Sequence, residues 1–268
     1  MTTGTVLTSR SGRVKEAGKL SRRSVRTERR LFLADGPKAV EGALERGVVV
    51  ELFATAAAAE RYAALPGGAP RTSYVDDRAL ASLSDSVTPA GIVAVCSFLD
   101  VPTEQAVDTG PAPGLVTIAA DVRDPGNAGT LIRTTDALGG HAVVLAGRSV
   151  DLYNPKTVRA SVGSLFHLPV ALELDPSVAV ERARAAGLTV LAADGDGELT
   201  LDDAEALLAG ATAWLFGNEA WGLPVELAAL ADHRVRIPIT GRAESLNLST
   251  AAAICLHETA RARRHPRA

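Results

Sequence analysis

Cysteine is almost missing from this chain. Cys96 and Cys255 are the two in 268 residues, far apart and without partners at metal-ligand spacing. That excludes a disulfide framework and makes buried free thiols the expectation. The five histidines, at 141, 167, 233, 257 and 265, show no paired spacing, so no metal site is expected. No apolar run reaches the roughly 18 residues that cross a bilayer, which argues against a membrane role. Met1–Arg30 has no apolar core of signal-peptide type, and a cytoplasmic protein is the expectation. Two glycine signatures are also missing. There is no GxxxxGK[ST], and no GxGxxG follows the first strand of either half, so the ordinary phosphate and dinucleotide loops are excluded. Asp194-Gly195-Asp196-Gly197-Glu198 begins like a calcium loop, but Leu199 stands where that loop requires glycine, and calcium is rejected. Ser164 and Ser245 have no histidine placed as in a nucleophile elbow.

The composition that is present, 47% hydrophobic and 22% charged, is that of a soluble globular chain of one large or two smaller domains. The net charge of −3 hides an asymmetry. Residues 1–30 hold nine Lys/Arg against Glu16 and Glu28, a sum of +7, so the rest carries −10. A basic arm on an acidic body suits a nucleic-acid binder, with Arg22, Arg23, Arg26, Arg29 and Arg30 as the candidate contacts. A solvated tail explains the same run equally well.

Along the chain, residues 1–12 read as disordered and 13–30 as a basic helix with little apolar face. Residues 31–98 alternate short strands and helices in a small α/β unit. Residues 99–113, rich in Pro, Gly and acidic side chains, read as a linker. A second unit, 114–268, alternates again: strands at Leu115–Ala120, Ala142–Ala146, Leu188–Ala193, Ala213–Phe216 and Val235–Ile239, with helices between and a last helix over Leu248–Arg264. Such alternation predicts an α/β protein with a mostly parallel sheet, whose ligand sits at the carboxyl ends of the strands.

Three strand ends carry polar groups. After Ala120 a Pro-Gly turn leads to Asn127 and, six residues on, Arg133. Helix capping accounts for Asn127 and a solvated charge for Arg133, but a planar guanidinium also suits phosphate. After Phe216 comes Gly217-Asn218-Glu219, then Trp221-Gly222-Leu223-Pro224. After Val235 comes Ile237-Pro238-Ile239 and then Ser245-Leu246-Asn247, opening an Ala-rich helix. Ser245 and Asn247 are both favoured caps.

Taken together, Asn127-x₅-Arg133, Phe216-Gly217-Asn218-Glu219-x₂-Gly222-Leu223, and Ile237-Pro238-Ile239 with Ser245-Leu246-Asn247-Leu248-Ser249-Thr250-Ala251 resemble the three motifs of the SpoU (TrmH-type) RNA ribose 2′-O-methyltransferases, in family order. The first 98 residues are similar to the L30e-like substrate-binding domain of many members. The resemblance implies a SPOUT-type parallel sheet with a deep carboxyl-terminal trefoil knot, a homodimer through the methyltransferase domain, and S-adenosylmethionine as cofactor. It implies a pocket formed by Gly217, Ile237 and Leu246, with Phe216, Asn218 and Ile239 beside them. Arg133 becomes the activator of the 2′-hydroxyl, while Asn127, Glu219, Ser245 and Asn247 orient it. Arg159 becomes a further RNA contact, for which a surface charge is an equal explanation. Ribosomal RNA is the expected substrate, with transfer RNA the alternative. A non-catalytic RNA-binding module, which would bind no cofactor, is the competing class.

Overall fold

The computed structural model describes residues 6–111 and 113–264. The chain divides into two compact units, residues 1–99 with 151–167, and residues 100–150 with 168–268. None of the helices among the described residues is long and apolar enough to cross a membrane.

The first unit is built on a four-stranded sheet of β1 (Leu31–Asp35), β2 (Val49–Ala54), β3 (Thr72–Tyr74) and β4 (Ile92–Ser97), in the order β1-β4-β2-β3. β4 runs antiparallel to both neighbours, and β2 and β3 are parallel. Phe32, Leu52, Phe53 and Ile92 are fully buried on it. The segment Asp151–His167 belongs to this unit rather than to the second. Rings decide this: Tyr153 stacks on Phe98 at 3.7 Å and meets Phe32 at 4.7 Å, and its hydroxyl accepts from the Leu99 N–H at 2.8 Å.

The basic amino-terminal segment is not a free arm. Residues 1–5 of the expected disordered stretch lie outside the described residues, but Leu7 bridges Val75 beside β3. Gly12–Gly18 and Arg23–Arg29 are helices, and Val14, Ala17 and Leu20 enter the same core as Leu33, Phe53 and Leu80. Val14, Ala17 and Leu20 recur every three residues, and Val25 packs against the same core.

The second unit is a seven-stranded, wholly parallel sheet: β5 (Leu115–Ala120), β6 (Ala142–Ala146), β7 (Val170–Glu173), β8 (Thr189–Ala193), β9 (Leu199–Thr200), β10 (Thr212–Phe216) and β11 (His233–Arg236). Its order is β7-β6-β5-β10-β8-β11-β9. β5, β6 and β10 are buried at every residue, as continuous apolar runs in a doubly covered sheet should be. Residues 100–111, read as linker, belong to this unit: Thr103–Val107 is a helix whose Ala106 and Val107 join the core, and the Thr103 hydroxyl donates to Glu173 at 3.0 Å. Two helices are keyed to the sheet by buried polar pairs, which desolvation makes obligatory. Thr135 of Pro125–Ala137 meets Thr117 of β5 at 2.8 Å, and Thr259 of Leu248–Arg264 accepts from the Trp214 indole of β10 at 2.9 Å.

β11 ends at Arg236, so Pro238 lies beyond the strand rather than inside it. β11 also sits between β8 and β9, which are consecutive in the chain and joined only by residues 194–198. That connection is the acidic Asp194–Glu198 loop, and two of its carboxylates face arginine. Arg234 reaches Glu198 at 3.0 Å and Asp194 at 3.5 Å, while Arg236 donates to the Gly197 carbonyl at 2.7 Å. A Cβ on Gly197 would stand 2.7 Å from the Arg234 carbonyl oxygen, so only glycine lets the loop lie on β11.

Candidate active site

The loops that follow β8, β10 and β11 surround one cavity of about 260 Å³ at the carboxyl ends of these strands. Phe216, Gly217, Asn218, Ile237, Ile239, Ser245 and Leu246 all line it, together with Asp194, Glu219, Glu244 and Leu248. The apolar members on the third loop are partly open: Ile239 and Leu246 remain 39% and 37% exposed, a surface that a ligand would cover. A flat heterocycle fits such apolar walls flanked by backbone, and the carboxylates at the edge suit hydroxyl or cationic groups.

Gly217 is essential for a reason the sequence did not show. A Cβ there would lie 2.3 Å from the carbonyl carbon of Gly222 and 2.5 Å from the Leu223 nitrogen. The glycine closes the loop on itself, through reciprocal bonds of 2.9 and 3.0 Å between Asn218 and Gly222. Asn218 is buried, and both arms of its amide are spent on structure. Nδ2 donates to the Asp121 carbonyl at 2.7 Å and Oδ1 accepts from Ala220 at 2.8 Å. The first bond ties the β10 loop to the β5 loop at Asp121, whose φ of +56° is left-handed. Asp121 tolerates that conformation because its carboxylate is held by the Arg148 N–H at 2.7 Å.

Beside this cavity the segments that follow β5, β10 and β11 exchange hydrogen bonds. Glu219 accepts from the backbone N–H groups of Arg123 (3.2 Å) and Asp124 (3.0 Å), and from the Asn127 amide (3.2 Å). Because a carboxylate can only accept, it fixes Nδ2 of Asn127 towards itself and Oδ1 away. That Oδ1 accepts from the Ser249 hydroxyl at 2.8 Å and from the Asn247 amide at 3.3 Å. Partial burial pushes the Glu219 carboxyl up, but the N–H groups of Glu219, Asp124 and Arg123 and the Asn127 amide outweigh it, and its net shift is downward. Glu219 is therefore held ionised to lower pH than an ordinary glutamate, and its protonation would undo the network.

Several expectations are corrected here. Asn127 is not the cap of its helix: Asp124 is, accepting from the Asn127 N–H at 2.8 Å, which frees the Asn127 side chain for the network. Asn247 does cap, taking the Ser249 N–H at 2.9 Å, and still reaches Asn127. Ser245 stands at the cavity and has no hydrogen bond among the described residues; the hydroxyl that meets Asn127 is that of Ser249. Only the spacing Asn247-x-Ser249 at a helix start could have signalled it. No hydrogen bond joins Glu219 to Arg133 among the described residues. Arg133 lies on the outer face of Pro125–Ala137, because 128, 131, 132 and 135 take the inner one. It borders a groove with Ala137, Leu138, Ala253 and Ile254 and has no hydrogen bond or ion pair among the described residues.

The six arginines expected at RNA separate. Arg26 is 3% exposed, ion-paired to Asp151, and donates to the carbonyls of Leu20 and Ser21 at 2.8 Å each. It joins the first unit's segments and has no guanidinium left for phosphate, because a buried charge must be paired where it lies. Arg22 and Arg23 are exposed. Arg29 meets Glu16 at 2.7 Å, Arg30 lies 5.0 Å over the Phe98 ring, and Arg159 meets Asp85 at 3.3 Å.

The fold and site define a ligand-binding α/β protein whose pocket is made by three loops at one edge of a parallel sheet, with a carboxylate–amide–hydroxyl network beside it. Residues 114–257 match the SpoU rRNA Methylase family, and residues 12–94 match the MRM3-like substrate binding domain, which takes in most of the basic segment. The chain belongs to the SpoU rRNA methylase family. It is 32% identical to the 23S rRNA (guanosine(2553)-2′-O)-methyltransferase RlmP of Bacillus subtilis, over 93% of this chain and 96% of that protein. It is 41% identical to the 23S rRNA (uridine(2479)-2′-O)-methyltransferase of Streptomyces viridochromogenes over 52% of this chain, and the match spans half of that relative's length. Among solved structures, the AdoMet-bound rRNA methyltransferase of Sinorhizobium meliloti superposes with a TM-score of 0.84 at 32% identity, covering 98% of this chain and 99% of that one. The SpoU methyltransferase AviRb of Streptomyces viridochromogenes, in complex with AdoMet, gives a TM-score of 0.84 at 30% identity, covering 95% and 99%.

Proposed function

We propose that this protein transfers a methyl group from S-adenosylmethionine to a ribose 2′-oxygen of structured ribosomal RNA. The observation that carries the reading is the apolar-walled cavity directly beside the Glu219–Asn127–Asn247–Ser249 network. The two rRNA-modifying relatives and the AdoMet-bound structural neighbours support it. The cofactor supplies an electrophilic methyl on a sulfonium centre, so the protein has to hold, orient and desolvate.

Ile237, Ile239 and Leu246 pack the adenine, and main-chain groups around Gly217, Ile237 and Leu246 read its edge. Phe216 and Asn218 keep this wall rigid, which a near-attack geometry demands. The Glu219 oxygens are already engaged by three donors, so Glu219 sets the Asn127 amide rather than taking a proton. Asn127 and Asn247 orient the ribose hydroxyl, and Ser245 faces the cofactor side. Arg133 stabilises the developing 2′-alkoxide by its charge; a guanidinium that never deprotonates is a poor base. Its guanidinium is available for this, having no carboxylate partner among the described residues, unlike Arg182, Arg184, Arg234 and Arg261 of the same unit.

The same reading takes the first unit as an L30e-like RNA-binding domain with Arg22, Arg23, Arg29, Arg30 and Arg159 on phosphates. Replacing Arg22 and Arg23 together by alanine is expected to reduce the slope of log affinity against log salt by roughly 1.4 to 1.8, the share of two phosphate contacts; an unchanged slope would remove them from the interface. The position of β11 between β8 and β9 is consistent with a chain threaded as a trefoil knot. The groove beside Arg133 supports a homodimer through Pro125–Ala137 and Leu248–Arg264, and sedimentation equilibrium should give twice the chain mass. A cytoplasmic site of action follows from a ribosomal substrate. The reading as a whole is tested by titrating S-adenosylmethionine calorimetrically and by mapping 2′-O-methyl groups in ribosomal RNA from cells with and without the gene. Absence of cofactor binding would favour the non-catalytic module.

A further inference from the structure

The first unit contains a second cavity, of about 290 Å³, that the methyl-transfer reading leaves unused. Its apolar walls are Leu33, Leu83 and Pro155, and its polar groups are Asp35, Asp85 and Asn154 with the hydroxyls of Ser21, Ser82 and Ser84. Asp35 ends β1 and is partly exposed, yet it has no ion pair among the described residues. The Ser84 hydroxyl donates to its Oδ2 at 2.5 Å, and the Asp85 backbone N–H also faces it. A carboxylate has about four acceptor positions, so two remain. Burial pushes this carboxyl up, against the Ser84 hydroxyl and the charge of Arg159. Asn154 caps the helix Pro155–Ala160 with Oδ1, which takes the Lys156 N–H at 2.9 Å, and its amide N–H₂ makes no hydrogen bond among the described residues. The cavity thus offers a two-oxygen acceptor and an amide donor among apolar walls. Arg159 stands at its edge, 3.3 Å from Asp85. Two residues beyond Asp85, Val87 is wholly exposed.

We propose that this cavity takes one unpaired guanine of the substrate RNA, with N1–H and N2–H on Asp35 and O6 on the Asn154 amide. Among the four bases, guanine presents two adjacent N–H donors beside a carbonyl on its pairing edge, the match for a carboxylate next to an amide donor. Arg159 then meets the adjoining phosphate. The proposal rests on RNA being the substrate, and its test separates the two claims.

Saturation-transfer NMR on the full chain compares GMP, AMP, CMP and UMP, using the parent protein, Asp35→Asn and Asn154→Asp. The asparagine at 35 still accepts from Ser84, and the aspartate at 154 still caps its helix, so both variants are expected to fold. GMP should give the strongest signal, lost in both variants. The KM for unmethylated ribosomal RNA should rise about tenfold or more in each, with kcat and S-adenosylmethionine affinity unchanged. Equal signals from the four nucleotides, or a GMP signal that survives both substitutions, would overturn the site. A lost GMP signal with unchanged KM would overturn the RNA as its source. If the parent protein methylates no RNA, the functional reading fails, and the nucleotide comparison alone decides whether the cavity selects guanine.

Discussion

Arg133→Ala is expected to lower kcat for methyl transfer by about 10²- to 10³-fold, the usual loss when one preorganised charge is removed from a developing oxyanion. S-adenosylmethionine affinity should hold, because Arg133 does not line the cavity proposed for the cofactor. Thermal stability should also hold, because an exposed guanidinium without an ion pair contributes little. Arg133→Lys separates charge from shape. Partial rescue points to electrostatic stabilisation, whereas no rescue points to the planar fork. Equal single-turnover rates for Arg133→Ala and the parent enzyme on the cognate RNA would remove Arg133 from the chemistry.

Gly217→Ala is the second large effect, and it should appear in binding before it appears in rate. The added methyl meets main-chain atoms of Gly222 and Leu223, which cannot swing aside as a flexible side chain would. The Asn218–Gly222 bonds must open, and the Asn218 anchor on Asp121 moves with them. S-adenosylmethionine affinity is expected to fall by more than about tenfold and stability by about 1–3 kcal/mol, the usual penalty of overpacking. Gly222→Ala is the control. Gly222 has a φ of +69° but open space around it, so strain alone, about 1–2 kcal/mol, is expected there. Calorimetric titration of both variants checks the order; equal affinities for parent and Gly217→Ala would show that the loop opens without consequence for the pocket.

What could be read from the sequence was what local chemistry decides. β5, β6 and the helix Leu248–Arg264 stand where unbroken apolar runs and helical spacing put them. β9 was not legible: two residues, Leu199 and Thr200, become a strand only because β11 arrives from thirty-odd residues later. β7 carries Glu173 and an exposed Leu172, which blurs its pattern, and it was not anticipated. Arg26 looked like its neighbours in a basic run until Asp151 closed on it from 125 residues away. At the site, the motif residues were legible as a set but not their division of labour. Whether Asp124 or Asn127 caps the helix is a choice between two good caps three residues apart. Geometry at the loop resolves it, and the choice decides which side chain is free.

The placement of β11 has a consequence for how the protein comes to exist. A ribosome delivers β8, then the five residues 194–198, then β9, all before β11 is made. The shortest path for that early chain is to lay β9 beside β8, where β11 belongs. The finished sheet therefore requires the early strands to stay apart, or to part again, until the later one is slipped between them. Ile237, Ile239 and Leu246 follow β11, so the last wall of the pocket arrives with it. A chain interrupted before β11 lacks that wall, and on the reading proposed above it has nowhere to put the methyl donor.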